Sequence, residues 1–151
     1  MRIALGCDHR GLRLKQEVMR FLESLGYECH DFGCYTEEPV DYPDIAIQVA
    51  KEVATGNFDR GILFCATGIG MSIAANKVKG IRAALCCDTF SAERARRHND
   101  ANILCLGAER LEPSKACEIA ETYLSTSFDG GRHWRRVEKI IRLEENQLDN
   151  E

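Results

Sequence analysis

The chain has no C-x-x-C pair among its eight cysteines, which removes a zinc ribbon and a thioredoxin-like redox motif from consideration. No run approaches the roughly eighteen apolar residues that a membrane span needs. The opening stretch, MRIALGCDHRG, is interrupted by charge too soon to be a secretory signal. Positive charge is not in excess: 24 acidic against 20 basic side chains give a formal net charge of -4, so bulk electrostatics offers no reason to expect nucleic acid as a partner. Internal repeats, low-complexity segments and linkers are missing as well. What remains is the expectation of one soluble, cytoplasmic domain over residues 1–151, able to bury a proper core. In that compartment the cysteines are expected to be reduced and packed as small hydrophobes. Cys29, His30 and Cys34 are too few and too irregularly spaced to support a metal cluster. No metal is expected.

Two periodicities alternate along the chain. RIALGC reads as a strand, and Leu14, Val18, Leu22 and Leu25 then recur at helical spacing before Gly26. YECHDFG is a second strand, with Ile45, Val49 and Val53 marking a helix that stops near Gly56. RGILFC, GIRAALCC and NILCLG read as three further strands, followed by the helices MSIAANKV, SAERARRH and SKACEIAETYL. Continuous apolar strands, each followed by a helix, predict a parallel sheet of five strands covered on both faces. After Gly130-Gly131 comes one more helix, HWRRVEKIIRLEENQLD, with Trp134, Val137, Ile141 and Leu148 on one stripe. This C-terminal stretch, 130–151, either packs back on its own sheet or docks on a partner subunit.

Ligands of an open parallel sheet bind outside the carboxyl ends of its strands. That rule selects Cys7 to Arg10, Cys65 to Gly70, Asp88-Thr89 and Gly107 to Arg110. In CATGIG (65–70) the glycines allow a tight turn, so that successive N–H groups point into one cavity. Such a loop suits a developing oxyanion, and a thiol at its edge is a candidate base or nucleophile. Arg132, His133, Arg135 and Arg136 form a local basic cluster suited to an anion. His98, Asn99 and Asp100 lie at the far end of their helix, away from the strand tips in a single-chain layout, where a subunit interface could bring them to the site.

GCDHRG (6–11), DYPD (41–44), CATGIGMSIAANKVKGIRAAL (65–85), RRHNDAN (96–102) and GGRHWRRV (130–137) together resemble the ribose-5-phosphate isomerase B family, the RpiB/LacAB group, over roughly residues 2–142. The resemblance implies a Rossmann-like α/β three-layer sandwich. It also implies a homodimer, often paired into a tetramer, with active sites between subunits. The implied chemistry is aldose–ketose isomerisation of a phosphorylated sugar through a cis-enediolate, without metal or organic cofactor. Carried over by position, Cys65 is the base, Thr67 moves protons between sugar oxygens, and His98 assists ring opening. The 66–70 loop (Ala66, Gly68, Ile69 and Gly70) holds the enediolate oxygen, while Asp8, Tyr42 and Asn99 contact the sugar. His9, Arg132 and Arg136 bind the phosphate.

Two positions depart from the family pattern. Ala66 stands where many members have glycine, and Glu109, followed by Arg110, stands where relatives often have an arginine. The resemblance implies ribose 5-phosphate as the substrate, and these departures admit allose 6-phosphate, galactose 6-phosphate or a tetrose phosphate as alternatives within the class. A non-catalytic phosphosugar-binding protein is the alternative outside it.

Overall fold

The computed structural model describes residues 1–148; residues 149–151, and the side chain of Leu148 that the sequence placed on an apolar stripe, lie outside the described residues. Strands and helices alternate as the periodicities predict. The order is β1 (Arg2–Cys7), α1 (Leu12–Ser24), β2 (Glu28–Asp31), α2 (Tyr42–Ala54), β3 (Arg60–Cys65), α3 (Ile69–Ala75), β4 (Ala83–Leu85), α4 (Thr89–Asn99), β5 (Ile103–Gly107), α5 (Pro113–Ser125) and α6 (Arg132–Leu148). The five strands pair in parallel, in the spatial order β2-β1-β3-β5-β4.

Strand residues alternate between two cores because successive side chains point to opposite faces. Ile3, Leu5, Ile62, Phe64, Leu104 and Leu106 pack with α1, α4 and α5, whereas Ala4, Leu63, Cys65, Ile103 and Cys105 pack with α2 and α3. Right-handed crossovers dictate which helix takes which face. The steps from β1 to β2 and from β4 to β5 run one way across the sheet and put α1 and α4 together. The steps from β2 to β3 and from β3 to β4 run the other way and put α2 and α3 opposite. The chain therefore leaves β3 toward one face, while it leaves both neighbours, β1 and β5, toward the other. Loops that part in this way open a crevice at the carboxyl end of β3.

Boundaries differ from the sequence pattern where side chains intervene. The helix expected from Ser91 begins at Thr89, because the Asp88 carboxylate accepts from the Ser91 N–H at 2.7 Å and caps it. The strand expected over 80–87 is only three residues long. At this sheet edge side-chain amides replace ladder partners: Asn76 bonds both the N–H and C=O of Ala83, and Asn102 accepts from the Arg82 N–H. On the opposite edge Lys15, fully buried, reaches Asp31 at 2.6 Å and the Cys34 carbonyl at 2.7 Å, tying α1 to β2 and the loop beyond.

Helix α6 lies against α4, its Val137 is 1% exposed, and its Glu144 accepts from the Gly80 N–H at 3.1 Å. Of its other apolar side chains, Trp134, Ile140 and Leu143 are 48%, 48% and 60% exposed. The helix thus packs on its own domain along one face and presents a second apolar face outward.

Candidate active site

At the carboxyl end of β3 the backbone turns sharply through Gly68, whose φ of 79° lies in the left-handed region that favours glycine. That turn points the Gly68 N–H at the Cys65 sulfur, 3.0 Å away, and starts α3 at Ile69, two residues earlier than the sequence pattern suggested. The Ile69 N–H meets the Thr67 hydroxyl at 3.2 Å. The loop is held from the β5 side, where the N–H groups of Ala108 and Glu109 donate to the carbonyls of Cys65 and Ala66, both at 2.9 Å. Gly107 leaves no room for a side chain, since a Cβ there would lie 2.5 Å from the Thr67 carbonyl oxygen.

The β1 side contributes Asp8 and His9. The buried Asp8 carboxylate accepts from the N–H groups of Arg10 and Gly11 at 3.0 and 3.1 Å, fixing the turn that follows the strand. His9 accepts from the Val40 N–H at its Nδ1, 3.2 Å away, which ties it to the loop before α2. Tyr42, in the first turn of α2, lies over the start of α3; a Cβ on Gly70 would stand 2.6 Å from its ring. The structure therefore brings together Asp8, His9, Tyr42, Cys65, Ala66, Thr67, Gly68, Ile69 and Gly70 around one strand tip. Beside them lies a cleft of about 450 Å³, lined by Thr67, Ile69, Leu85, Cys86, Cys87 and Arg110. Glu109 turns the other way and pairs with Arg10 at 3.1 Å.

Burial pushes Cys7 and Cys86 up to about 12, and Cys105 well above its ordinary value. These groups stay protonated near neutrality and serve as packing.

The remaining predicted residues are elsewhere. The eleven residues of α4 span about 16 Å and run back from the carboxyl end of the sheet, leaving His98 and Asn99 at its amino end. There the Asn99 carbonyl accepts from Arg82, just before β4, and β5 begins beside Gly61 and Ala83. Arg132 and Arg136, exposed in the first turns of α6, belong to the same end. Within one chain the predicted residues thus form two separate groups, one at each end of the sheet.

The amino-end group contains two further members: His133, which the sequence pattern places in the basic cluster, and Asp129, which it does not single out. The rings of His98 and His133 stack with centroids 4.3 Å apart and planes 6° apart. Asp129 lies beside them, its carboxylate gripped by Arg97 Nε at 3.2 Å to both oxygens. Arg97 thereby holds the Asp129 carboxyl below the usual carboxylate range. Burial, and next the His98 ring, push His133 below its ordinary value. These three ligand-type groups lie within 4.8 Å of one another. Parallel rings direct their in-plane lone pairs alongside one another rather than toward one point, and Asp129 is already engaged. The set is built for stacking, not for chelation. Its only signal in the sequence was His133 within the basic cluster of Arg132, Arg135 and Arg136.

Among relatives, Ribose-5-P isomerase B of Listeria innocua is 47% identical over 145 residues, covering 96% of this chain and 98% of its own. D-erythrulose-4-phosphate isomerase of Pectobacterium atrosepticum is 44% identical, covering 91% of each chain. The solved structure of Clostridium thermocellum Ribose-5-Phosphate Isomerase B superposes with a TM-score of 0.96 at 50% identity, over 97% of this chain and 99% of that one. The family model described as Ribose/Galactose Isomerase matches residues 3–140, and the chain belongs to that family of sugar-phosphate isomerases.

Proposed function

We propose that this chain interconverts ribose 5-phosphate and ribulose 5-phosphate through a cis-enediolate, with Cys65 as the base. The observation that carries the proposal is the Cys65 sulfur held 3.0 Å from the Gly68 amide, at the strand tip where the loops part. A proton alpha to a carbonyl is weakly acidic, so catalysis needs a base near both carbons and donors for the oxyanion. Cys65 takes the proton from C2 of the open-chain aldose and returns it to C1. Thr67 passes a proton from O2 to O1, and the amides of the 66–70 loop hold the enediolate oxygen. No atom is gained or lost, and the aldehyde becomes a ketone.

His98 opens the furanose ring, Asp8, Tyr42 and Asn99 hold hydroxyls, and His9, Arg132 and Arg136 bind the phosphate. The two groups lie at opposite ends of the sheet, so a complete site requires a second copy to supply the amino-end group. The apolar side chains left exposed at the candidate interface support such a homodimer: Ile69 and Ile73 on α3, Leu85 on β4, and the outer face of α6. In this arrangement α6 packs on the partner subunit as well as on its own domain. The enzyme is cytoplasmic, and among the described residues no helix is long and apolar enough to cross a membrane.

A second substrate is favoured by one observation. Glu109, where relatives often have an arginine, is paired to Arg10, which leaves Arg110 in the cleft and alters the anion-binding end of the site. A shorter sugar phosphate, of the kind named in the Pectobacterium relative, fits that change. Turnover of a panel of aldose phosphates by wild type and Cys65→Ala tests both readings. Ribose 5-phosphate preferred, and lost in the variant, supports the first. A tetrose or hexose phosphate preferred keeps the mechanism and replaces the substrate, and no turnover on any of them leaves a phosphosugar-binding protein.

A further inference from the structure

We propose that His133 is a positioning residue for His98, holding its ring by stacking so that it can open the cyclic sugar. The inference rests on the assignment of ring opening to His98.

Opening a furanose breaks the C1–O4 bond of the hemiacetal. The proton leaves O1, the C1–O1 bond becomes the carbonyl, and O4 takes up a proton, so one proton is moved and no charge is left over. A single imidazole can deliver to O4 and receive from O1 only if its ring stays within reach of both atoms, because misplacement of a catalytic group by an ångström is costly. His98 is half-buried on the last turn of α4, at the end of a helix, where a side chain has few neighbours. The structure supplies a backing. His133 is 9% exposed and its ring lies flat against His98, 4.3 Å away at 6°.

The backing is itself anchored to the turn that carries His98. The Asp129 N–H donates to the Arg97 carbonyl at 3.0 Å, and the Asp129 carboxylate closes on the Arg97 side chain. Gly130 and Gly131, with φ of 68° and 57°, then turn the chain into α6, and the His133 N–H returns to the Gly130 carbonyl at 3.1 Å. Val137, one turn on and 1% exposed, seats the helix. Segment 129–137 is thus bolted to the end of α4, with the His133 ring as the part that touches His98. A neutral imidazole face also favours the positive charge that His98 bears while it holds the travelling proton. Burial keeps His133 on the neutral side.

Ring opening can be separated from the chemistry that follows. Ribose 5-phosphate is a furanose and must be opened. Ribulose 5-phosphate has its O5 phosphorylated and cannot close a five-membered ring, so exchange of its C1 hydrogen with solvent deuterium needs Cys65 but no ring opening. Both rates are measured, by turnover and by NMR, for wild type, Cys65→Ala, His98→Asn, His133→Ala and His133→Phe. His133→Ala is expected to lower kcat on ribose 5-phosphate about tenfold, with KM within about twofold and the exchange rate within about twofold of wild type. His133→Phe keeps a flat ring and should recover most of the loss. The preserved exchange reaction also certifies that each variant is folded. Equal loss of both reactions in His133→Ala, no loss in either, or no recovery by phenylalanine overturns the proposal. If His98→Asn fails to separate the two reactions, the assignment of His98 falls first. If His98→Asn separates them and His133→Ala does not, only the inference about His133 falls.

Discussion

Under the proposed function, the two ends of the sheet divide the chemistry in different ways. At the carboxyl end the working parts are held by backbone: a left-handed glycine aims an amide at a sulfur, and carbonyls of the loop are tied to the neighbouring strand. At the amino end they are long polar side chains on helix termini, several of them exposed, positioned by ion pairs and by one ring lying on another. Backbone geometry gives precision to a proton transfer between adjacent carbons. Flexible charged side chains suit the recognition of a phosphate remote from the reacting atoms. The contrast implies that single substitutions at the carboxyl end should strike turnover, and those at the amino end should strike binding and ring opening.

The largest effect expected is that of Cys65→Ala. Loss of a general base costs about 10²–10⁴-fold, so kcat should fall by that order while phosphosugar binding, read by calorimetry, stays within a few-fold. Cys29→Ala, on the outer strand β2, should leave both unchanged. Comparable losses from the two would remove the distinction between a working thiol and packing thiols. Gly107→Ala comes next. A methyl group 2.5 Å from the Thr67 carbonyl cannot be accommodated without moving the loop, and a shift of about 1 Å can cost about 10²-fold in kcat. Wild-type kcat in a folded Gly107→Ala protein would show that the loop tolerates displacement, against the contrast drawn above. At the other end Arg136→Ala should raise KM for phosphorylated sugars about tenfold, equivalent to about 1.4 kcal/mol. Free sugars should be unaffected; an equal change for both would rule out phosphate as what Arg136 recognises.

The same contrast explains what could be read from the amino-acid pattern. The five strands and the strand-tip position of CATGIG follow from local spacing, because a residue at a strand end stays there whatever the tertiary packing. The separation of His98 from Cys65 also followed from the length of α4. The stack of His98 on His133 did not, since it joins residues 35 positions apart through a turn set by Gly130 and Gly131. Nor did the Arg10–Glu109 pair, which links loops following β1 and β5 and depends on the strand order. At 80–87, where the apolar pattern overstates the strand, the side-chain amides of Asn76 and Asn102 take the backbone partners, a substitution that hydrophobic periodicity does not register.

The smallest effect concerns stability rather than rate, and it tests whether the amino end is held by its rings and charges. His133 is pushed below its ordinary 6.5, first by burial, then by His98 and Arg132, with Asp129 acting in the opposite direction. A histidine with a depressed folded value binds its proton less readily than the unfolded chain does. Its contribution is therefore complete above about pH 6.5 and declines as pH falls below that value. Asp129 is depressed by Arg97 from an ordinary 3.8, so its own contribution is complete above that value and is lost only at lower pH, as the carboxylate protonates. Between pH 7.5 and 5.5 only the histidine should matter of the two. His133→Phe, which cannot take up a proton, should show a smaller drop in Tm over that interval than wild type. Asp129→Asn removes the charge that favours the His133 proton, and should show a larger drop. Identical pH dependence in all three proteins would mean that the stacked pair does not feel the proton, and that its geometry is held by the helix seat at Val137 alone.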